Sequence, residues 1–267
     1  MSRETIRTMV RTMYDFQDMR VRMANRLKKK KDGSDQVNAE EIDLEDKSIP
    51  VIVEVWQDAM NSEKKLAKAL EAELKEAEIY TNFLKLVKGC GPLMSAVIIA
   101  EYDIHKATTV SKLWQFTGLN PGEVRGSKGS GSKKDKTFKV KKTDDLVRGD
   151  RRTPGYLSPF NGWLRTKMVG VLASSFIKCG SPYRKYYDDY KARLEQEENE
   201  VEHRSKKGEA PKSTAWKDVN KGHRDSASKR YMIKMFLKDL YVAWRTLEGL
   251  EVRAPYQEEY LGKRHSA

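Results

Sequence analysis

The sequence predicts a mainly α-helical protein, in which a long helix of the coiled-coil type is followed by a helical domain that contains a helix-hairpin-helix. Three observations support this fold class. Residues 51–88 and 225–249 carry apolar side chains at three- and four-residue spacing, which indicates one buried face of a helix. Shorter segments at 156–179 and from Pro182 onward repeat this spacing. No segment shows the strict alternation of apolar and polar residues that predicts a half-buried strand.

The composition favours a polyanionic partner. Of the 267 residues, 38% are hydrophobic and 34% are charged, and the net charge is +13. Such an excess of positive charge is typical of proteins that bind nucleic acid. A membrane surface is the rival polyanion, but the longest apolar run is too short to span a bilayer and no signal-peptide pattern opens the chain. We therefore expect no membrane partner and a cytoplasmic, nucleoid-associated protein.

The first fifty residues divide into two segments of opposite charge. Residues 1–31 predict a basic amphipathic helix, because apolar side chains at helical spacing alternate with six arginines and end in four lysines. Such a helix lies on nucleic acid or on a partner, or else it packs on the body of the protein with a solvated basic face. Residues 32–50 contain seven carboxylates and predict a flexible acidic linker.

Residues 51–88 predict one long helix with an apolar stripe. Glutamate and lysine cover the opposite face, and both are strong helix formers. The length is typical of a coiled-coil hairpin or a dimerisation helix, so we expect a homo-oligomer. The alternative is that the stripe packs on residues 1–31.

A helix-hairpin-helix is predicted around Gly89. Lys88, Gly89 and Gly91 form a tight turn between two short helices, and Pro92 suits the first turn of the second helix. Backbone N–H groups at the start of that helix favour a phosphate oxygen. Because backbone groups carry no base information, binding there would be independent of sequence. An ordinary helical corner inside a core explains the same pattern.

Residues 126–155 predict a basic mobile loop, because glycine, serine and lysine dominate the segment. Such a loop is either ordered by nucleic acid or merely solvated. The remaining candidates for contact with nucleic acid are basic residues at the edge of this loop, within it and in the later helices: Arg125, Lys133, Lys134, Arg151, Arg152, Arg165, Lys229 and Arg230. Residues 256–267 predict a polar tail.

No residue pattern supports a standard enzyme. The chain lacks a G-x-x-x-x-G-K-[ST] phosphate loop and a paired histidine–carboxylate metal motif. Cys90 and Cys179 are the only cysteines and there are four scattered histidines, which argues against a zinc site. We predict neither a metal site nor a cofactor. Ser127 lies among basic residues that would hold a phosphodiester, although a serine in a loop of this composition is usually just part of that composition.

Five sequence blocks occur in one order between residues 60 and 260. They read LVKGCGPLMSAVIIAEYDI, KLWQFTGLNPGEVRGSKG, YLSPFNGWLRTK, SPYRKYYDDYKARL and HRDSASKRYMIKMFLKDLYVAW. This order resembles the C-terminal domain of the IS-one-ten / IS-one-sixteen transposase family, the RNA-guided insertion-sequence recombinases. The resemblance implies a helical domain over residues 89–255 that contacts DNA and guide RNA. It also implies a nucleophilic serine after the G-L-x-P turn, which matches Ser127, although Lys128 stands where the family usually has glycine.

Members of that family begin with a RuvC-like domain whose acidic residues bind divalent metal. The roughly 50 residues before the long helix are too few for such a domain, since a single βαβ unit takes about 30 residues. We therefore expect that this chain lacks the metal-binding half and is not an autonomous transposase. Magnesium would enter only if a partner chain supplied the carboxylates.

These observations lead to one favoured hypothesis and two alternatives. The favoured hypothesis is a DNA-binding protein from a mobile element or phage, with structured RNA as a second nucleic-acid partner. The first alternative is a serine recombinase or transposase subunit that uses Ser127 together with a RuvC-like nuclease partner. The second alternative is a structural oligomer in which binding of nucleic acid is incidental.

Overall fold

The computed structural model describes residues 2–27, 50–131, 137–203 and 212–254. Its secondary structure is mainly α-helical, so the predicted fold class is confirmed. The acidic linker predicted over 32–50 lies outside the described residues except for Pro50, and the predicted tail 256–267 lies outside them entirely. The chain forms two compact units. The first consists of Met1–Thr81 and Pro92–Glu101, and the second of Asn82–Gly91 and Tyr102–Ala267.

The first unit is built from helices that cover one almost fully buried helix. Helices α1 (Arg3–Leu27) and α2 (Pro50–Leu74) pack against each other and against α4 (Pro92–Glu101). In α4 every side chain from Met94 to Glu101 is buried, so the helix needs neighbours on all sides. The stripe of α2 thus packs on α1, which is the intramolecular alternative of the sequence analysis, and the homo-oligomer stays a prediction.

The prediction of one continuous helix over 51–88 is wrong beyond Leu74. From Lys75 to Ala77, each backbone N–H donates to the carbonyl three residues earlier instead of four. The N–H of Ala77, for example, donates to the carbonyl of Leu74 at 3.0 Å. The short helix α3 (Glu78–Asn82) follows. Ile79 and Tyr80 are buried like Leu74, although a straight helix would point Ile79 about 140° away from Leu74. The turn between the helices therefore reorients the chain so that both can be buried.

Part of the basic face of α1 neutralises a buried carboxylate. The side chain of Glu101 is 1% exposed and lies 2.6 Å from the Arg11 guanidinium and 3.4 Å from that of Arg7. Farther along α1, Arg20 forms a 2.6 Å ion pair with Glu63 of α2. These arginines stabilise the packing of the first unit. Helix α1 therefore packs on the body of the protein, which was one of the alternatives for residues 1–31.

The second unit is organised around the long helix α9 (Lys221–Leu247), close to the predicted 225–249. Its buried side chains pack on a continuous helix made of α6 (Gly162–Arg165), a π-helical segment (Thr166–Leu172) and α7 (Ala173–Cys179). Helices α5 (Val110–Thr117) and α8 (Arg184–Leu194) also contact α9. A 3-10 turn (Leu84–Leu86) precedes the turn at Gly89, in place of the predicted end of an α-helix.

The segment 126–155, predicted as a mobile loop, forms much of a β-hairpin instead. Strands β1 (Glu123–Ser130) and β2 (Lys139–Arg148) pair antiparallel with a bulge between Arg125 and Ser127. Two glycines of β1 are covered by aromatic rings: a Cβ at Gly126 would lie 2.7 Å from the Tyr156 ring, and a Cβ at Gly129 would overlap the Phe138 ring. These rings come from outside β1 and pack on its glycines. They stabilise a glycine-rich strand whose own sequence has no apolar alternation.

A second short hairpin lies within the domain predicted to be helical. Strands β3 (Glu200–His203) and β4 (Lys212–Ala215) pair antiparallel, and a 3-10 turn (Trp216–Asp218) leads from β4 into α9. This hairpin brings Glu202 and Trp216 beside the N-terminal half of α9, where both line a cavity.

Candidate nucleic-acid interface

The predicted hairpin turn is divided between the two units. Lys88, Gly89 and Gly91 belong to the second unit, and Pro92 begins α4 in the first. Gly89 has the left-handed conformation that was predicted, with φ of 94°, and its carbonyl accepts a 2.9 Å hydrogen bond from the Ser175 hydroxyl. Lys88, Gly91 and Pro92 are exposed. Gly89 thus serves packing within the second unit, and the contact of this turn with phosphate stays a prediction.

The β1–β2 hairpin forms an exposed, lysine-rich ribbon, which we call the basic ribbon. Residues 139–142 of β2 are exposed on both faces of the hairpin. Lys128 of β1 lies directly opposite Lys141, an arrangement of like charges that destabilises a strand pair. One carboxylate offsets this repulsion, since Asp145 lies 3.6 Å from the Lys128 ammonium. Arg125 is also exposed on β1, and the candidates Lys133 and Lys134 lie outside the described residues.

Ser127 lies within the basic ribbon, paired with Lys142. Its carbonyl accepts a 2.7 Å hydrogen bond from the N–H of Leu157. In the described ranges, no histidine or carboxylate forms a hydrogen bond with its hydroxyl. Along β1, about 13 Å of strand separates Ser127 from Glu123. Ser127 therefore lies well away from Arg148, which is the pairing partner of Glu123.

A cavity of about 310 Å³, which we call the basic cavity, opens in the second unit. It lies among the end of β2, the residues after it, α6, α8, β3 and α9. Five basic side chains, two carboxylates and several aromatic rings line it. The basic residues are Arg148, Arg151, Arg165, Arg230 and Lys234, and the acidic ones are Asp150 and Glu202. The aromatic residues are Tyr190, Trp216, His223 and Tyr231.

Each of the two carboxylates that line the basic cavity forms an ion pair with an arginine. Asp150 accepts from the Arg148 guanidinium at 3.1 and 3.4 Å. Glu202 lies 3.8 Å from the Arg151 guanidinium, which also donates to the Glu202 carbonyl at 3.3 Å. Two carboxylates thus face five cations, and the Asp150 carboxylate, which also acts on the other three cations, is already ion-paired with Arg148.

We call those three residues, Arg165, Arg230 and Lys234, the cation triad. Arg165 donates to the carbonyl of Asp150 and lies over the Phe160 ring at 5.0 Å. The Lys234 ammonium lies 5.2 Å from the centre of the Trp114 ring. Arg230 forms neither a hydrogen bond nor an ion pair with any residue that the structure describes. All three side chains are half-buried, and none forms an ion pair with a carboxylate in the described part of the chain.

Burial and mutual repulsion disfavour the charged forms of this triad. Burial lowers the pKa of Arg165, Arg230 and Lys234. The neighbouring Arg165 lowers the pKa of Arg230 further, and Arg230 does the same to Lys234, whereas the Asp150 carboxylate acts in the opposite direction on all three pKa values. The guanidinium groups nevertheless stay protonated at neutral pH. Three cations are thus held close together near a single carboxylate that Arg148 already pairs, and such an excess of positive charge is typical of an anion site rather than of a structural ion-pair network.

Aromatic residues also line the basic cavity, and we call three of them, Tyr190, Tyr231 and Trp216, the aromatic wall. The two tyrosine rings stack with 4.4 Å between centroids and 16° between planes. The Trp216 ring lies 5.5 Å from that of His223, whose pKa is lowered by burial and then by Arg230, which favours the neutral imidazole. Neither tyrosine hydroxyl nor the Trp216 indole N–H has an acceptor among the described residues.

The structure brings together three candidates that the sequence analysis had named separately. Arg151, Arg165 and Arg230 all line the basic cavity. Two others lie elsewhere: Lys229 forms a 2.8 Å ion pair with Asp225, and Arg152 is exposed beside Gly162.

The sequence analysis missed Arg148 and Lys234 as members of this cavity, together with the aromatic wall. One signal was present, because His223, Ala227, Arg230, Tyr231 and Lys234 recur at helical spacing along one side of α9. A stripe at that spacing that carries two cations indicates a polar cavity rather than a core.

The described residues contain no group of three or more histidine, cysteine or acidic side chains placed to hold a metal ion. Within the same residues, no helix combines the length and the apolar character that crossing a membrane requires.

Comparison with protein-family models, with curated proteins and with solved structures gives no match to this chain. The resemblance to the transposase family therefore stays an expectation that rests on the five sequence blocks.

Proposed function

We propose that this protein binds nucleic acid, and DNA in the first place, through the basic ribbon. One observation carries this proposal: the ribbon presents lysines on a two-stranded hairpin whose residues 139–142 are exposed on both faces. A ribbon of two strands fits the major groove of B-form DNA, which is about 12 Å wide. Lysines along it would neutralise phosphates on the groove edges and orient the ribbon without reading the sequence.

The shape of the ribbon favours DNA over double-stranded RNA. The major groove of an A-form RNA helix is deep and too narrow for side chains to read, so a two-stranded ribbon finds no equivalent groove there. We expect duplex DNA to bind more tightly than duplex RNA of the same sequence. The net charge of +13 and the resemblance to the mobile-element transposases support the same proposal.

Duplex DNA binding at several salt concentrations tests the proposal. We expect log affinity to fall linearly with log salt, with a slope of about 0.9 for each neutralised phosphate. In the variant Lys139→Gln/Lys141→Gln/Lys142→Gln, the slope should decrease by up to about 0.9 for each lysine that contacts a phosphate.

A matched control separates the ribbon from the charge of the whole chain. Lys64, Lys65 and Lys68 are exposed on α2 in the first unit, and their replacement by glutamine removes the same number of charges. The control variant should bind DNA nearly as tightly as the wild type. Equal losses in both triple variants, or affinity independent of salt, would contradict binding through the ribbon.

A further inference from the structure

The basic cavity offers many hydrogen-bond donors and few acceptors. The cation triad, the Tyr190 and Tyr231 hydroxyls and the Trp216 indole N–H have no carboxylate partner in the described part of the chain. Arg and Lys side chains can only donate, as can the indole N–H. The two lining carboxylates are engaged by Arg148 and Arg151. A ligand that satisfies this cavity must therefore be anionic and rich in acceptor oxygens.

The size and the aromatic wall of the cavity indicate more than a bare inorganic anion. Its volume of about 310 Å³ lies at the lower end of the range of about 300–1,000 Å³ that is usual for small-molecule sites. A bare phosphate would contact the cation triad and leave the aromatic residues that line the cavity without contact to the ligand. A planar ring system attached to the phosphate would contact that wall, since nucleobases pack favourably on aromatic side chains.

We propose that the basic cavity binds a nucleotide, with its phosphate on the cation triad and its base along the aromatic wall. The planar guanidinium groups of Arg165 and Arg230 suit the oxygens of a phosphate, to which arginine donates two parallel hydrogen bonds. Lys234 adds a point charge from the next turn of α9. The phosphate also adds negative charge to a group of three half-buried cations that has one carboxylate, Asp150, nearby, so binding reduces their mutual repulsion.

Such a nucleotide comes from one of two sources. It is either the 5′-phosphorylated end of a nucleic-acid strand or a free mononucleotide, and the recognising chemistry is the same for both. The proposal does not depend on the basic ribbon, because the ribbon residues 139–142 do not line the cavity. Binding at the cavity and binding along the ribbon can therefore be tested apart.

Isothermal titration calorimetry on the full chain at low salt tests the proposal with three probes. We expect deoxyadenosine monophosphate to bind more tightly than inorganic phosphate, and deoxyadenosine not to bind. Arg230→Gln should weaken binding of the monophosphate about tenfold or more, because it removes hydrogen bonds to a charged group. Lys178→Gln, which removes one exposed charge at the end of α7 outside the cavity, should leave the affinity within about twofold.

Three results would overturn the proposal. They are no heat of binding with millimolar deoxyadenosine monophosphate, equal affinities for the monophosphate and inorganic phosphate, and an Arg230→Gln variant that binds as tightly as the wild type. Circular dichroism must first show that Arg230→Gln is folded, and Lys234→Gln replaces it if it is not. As an independent measurement on the wild type, the thermal midpoint should rise with monophosphate concentration, because a ligand of the native state stabilises it.

Single-stranded oligonucleotides with and without a 5′-phosphate distinguish the two sources. A strand that binds more tightly with its 5′-phosphate than without it, and more tightly than the free monophosphate, identifies a strand end as the ligand. Equal binding of the two strands, together with binding of the free monophosphate, identifies a mononucleotide. The triple lysine variant of the basic ribbon should keep monophosphate binding even where it loses duplex DNA. Loss of duplex binding alone thus bears on the ribbon, and loss of monophosphate binding alone bears on the cavity.

Discussion

The turn after the 3-10 segment holds two glycines in different backbone conformations, so the same substitution should have opposite effects at the two positions. Gly89 has φ of 94°, and a Cβ there would lie 2.7 Å from the Cys179 sulfur and 3.0 Å from the Phe176 ring. Gly91 is outside the left-handed region, and a Cβ there would meet no atom of the described residues within 4 Å. Gly89→Ala therefore forces both backbone strain and overlap, whereas Gly91→Ala forces neither.

The expected magnitudes follow from these contacts. A left-handed backbone costs a residue with a Cβ about 1–2 kcal/mol, and overlap in a packed region adds about 1–3 kcal/mol. Because the Cys179 sulfur is the end of a side chain that can shift, we expect Gly89→Ala to lower the free energy of unfolding by about 2–4 kcal/mol in total. Gly91→Ala should raise it by about 0.4–1 kcal/mol, because alanine restricts the unfolded chain.

Urea unfolding followed by circular dichroism measures both variants. The midpoint should fall for Gly89→Ala and rise slightly for Gly91→Ala, with the slope of the free energy against urea unchanged. Equal midpoints, or a larger loss for Gly91→Ala, would refute the conformational argument. A bulkier Gly91→Leu variant then isolates function: it should fold like the wild type and bind all duplex sequences less tightly if the turn contacts a phosphate.

Three further predictions concern acid stability, the serine and assembly. Burial raises the pKa of Glu101, but the Arg11 and Arg7 guanidinium groups lower it below its usual value overall, so this carboxylate stabilises the fold above its unfolded pKa and stops doing so as the pH falls through the folded value. Arg11→Met should move acid unfolding, followed by circular dichroism, to higher pH, whereas Arg22→Met, which breaks an exposed pair with Asp18, should not. Ser127→Ala should leave duplex DNA affinity nearly unchanged, since one hydroxyl contributes about 0.5–1.5 kcal/mol. The wild type should form no covalent DNA adduct on a denaturing gel, and an adduct that depends on the serine would favour the recombinase hypothesis. Light scattering over a concentration series should show the predicted homo-oligomer, and a strictly monomeric species would contradict it.

The elements that could be predicted from the sequence depend on local chemistry. Apolar spacing of 3.6 residues predicts α1 and α9, because their buried faces recur along the chain itself. The left-handed conformation of Gly89 follows from a glycine that ends a helical segment. Each of these features needs only a few neighbouring residues, so the pattern and the structure agree.

The hairpin β1–β2 could not be predicted in this way. Residues 139–142 of β2 are exposed on both faces. The strand therefore lacks the alternation of apolar and polar side chains by which a strand is predicted. Its glycines are covered by Tyr156 and Phe138, which lie 30 and 9 positions away in sequence. A glycine-rich, lysine-rich stretch therefore resembles a loop until those rings are placed.

The basic cavity could not be predicted from the sequence either, because its charge balance depends on residues from several elements. The sequence places Arg230, a candidate for contact with nucleic acid, and Lys234 on one long helix, but nothing local indicates whether a carboxylate from another element neutralises them. The structure answers that question for the described residues: the two acidic side chains that line the cavity are ion-paired with Arg148 and Arg151, and the cavity keeps an excess of positive charge. Folding keeps these cations half-buried and close together in spite of their repulsion. Since such an arrangement destabilises the chain, the binding of an anion there would account for it physically.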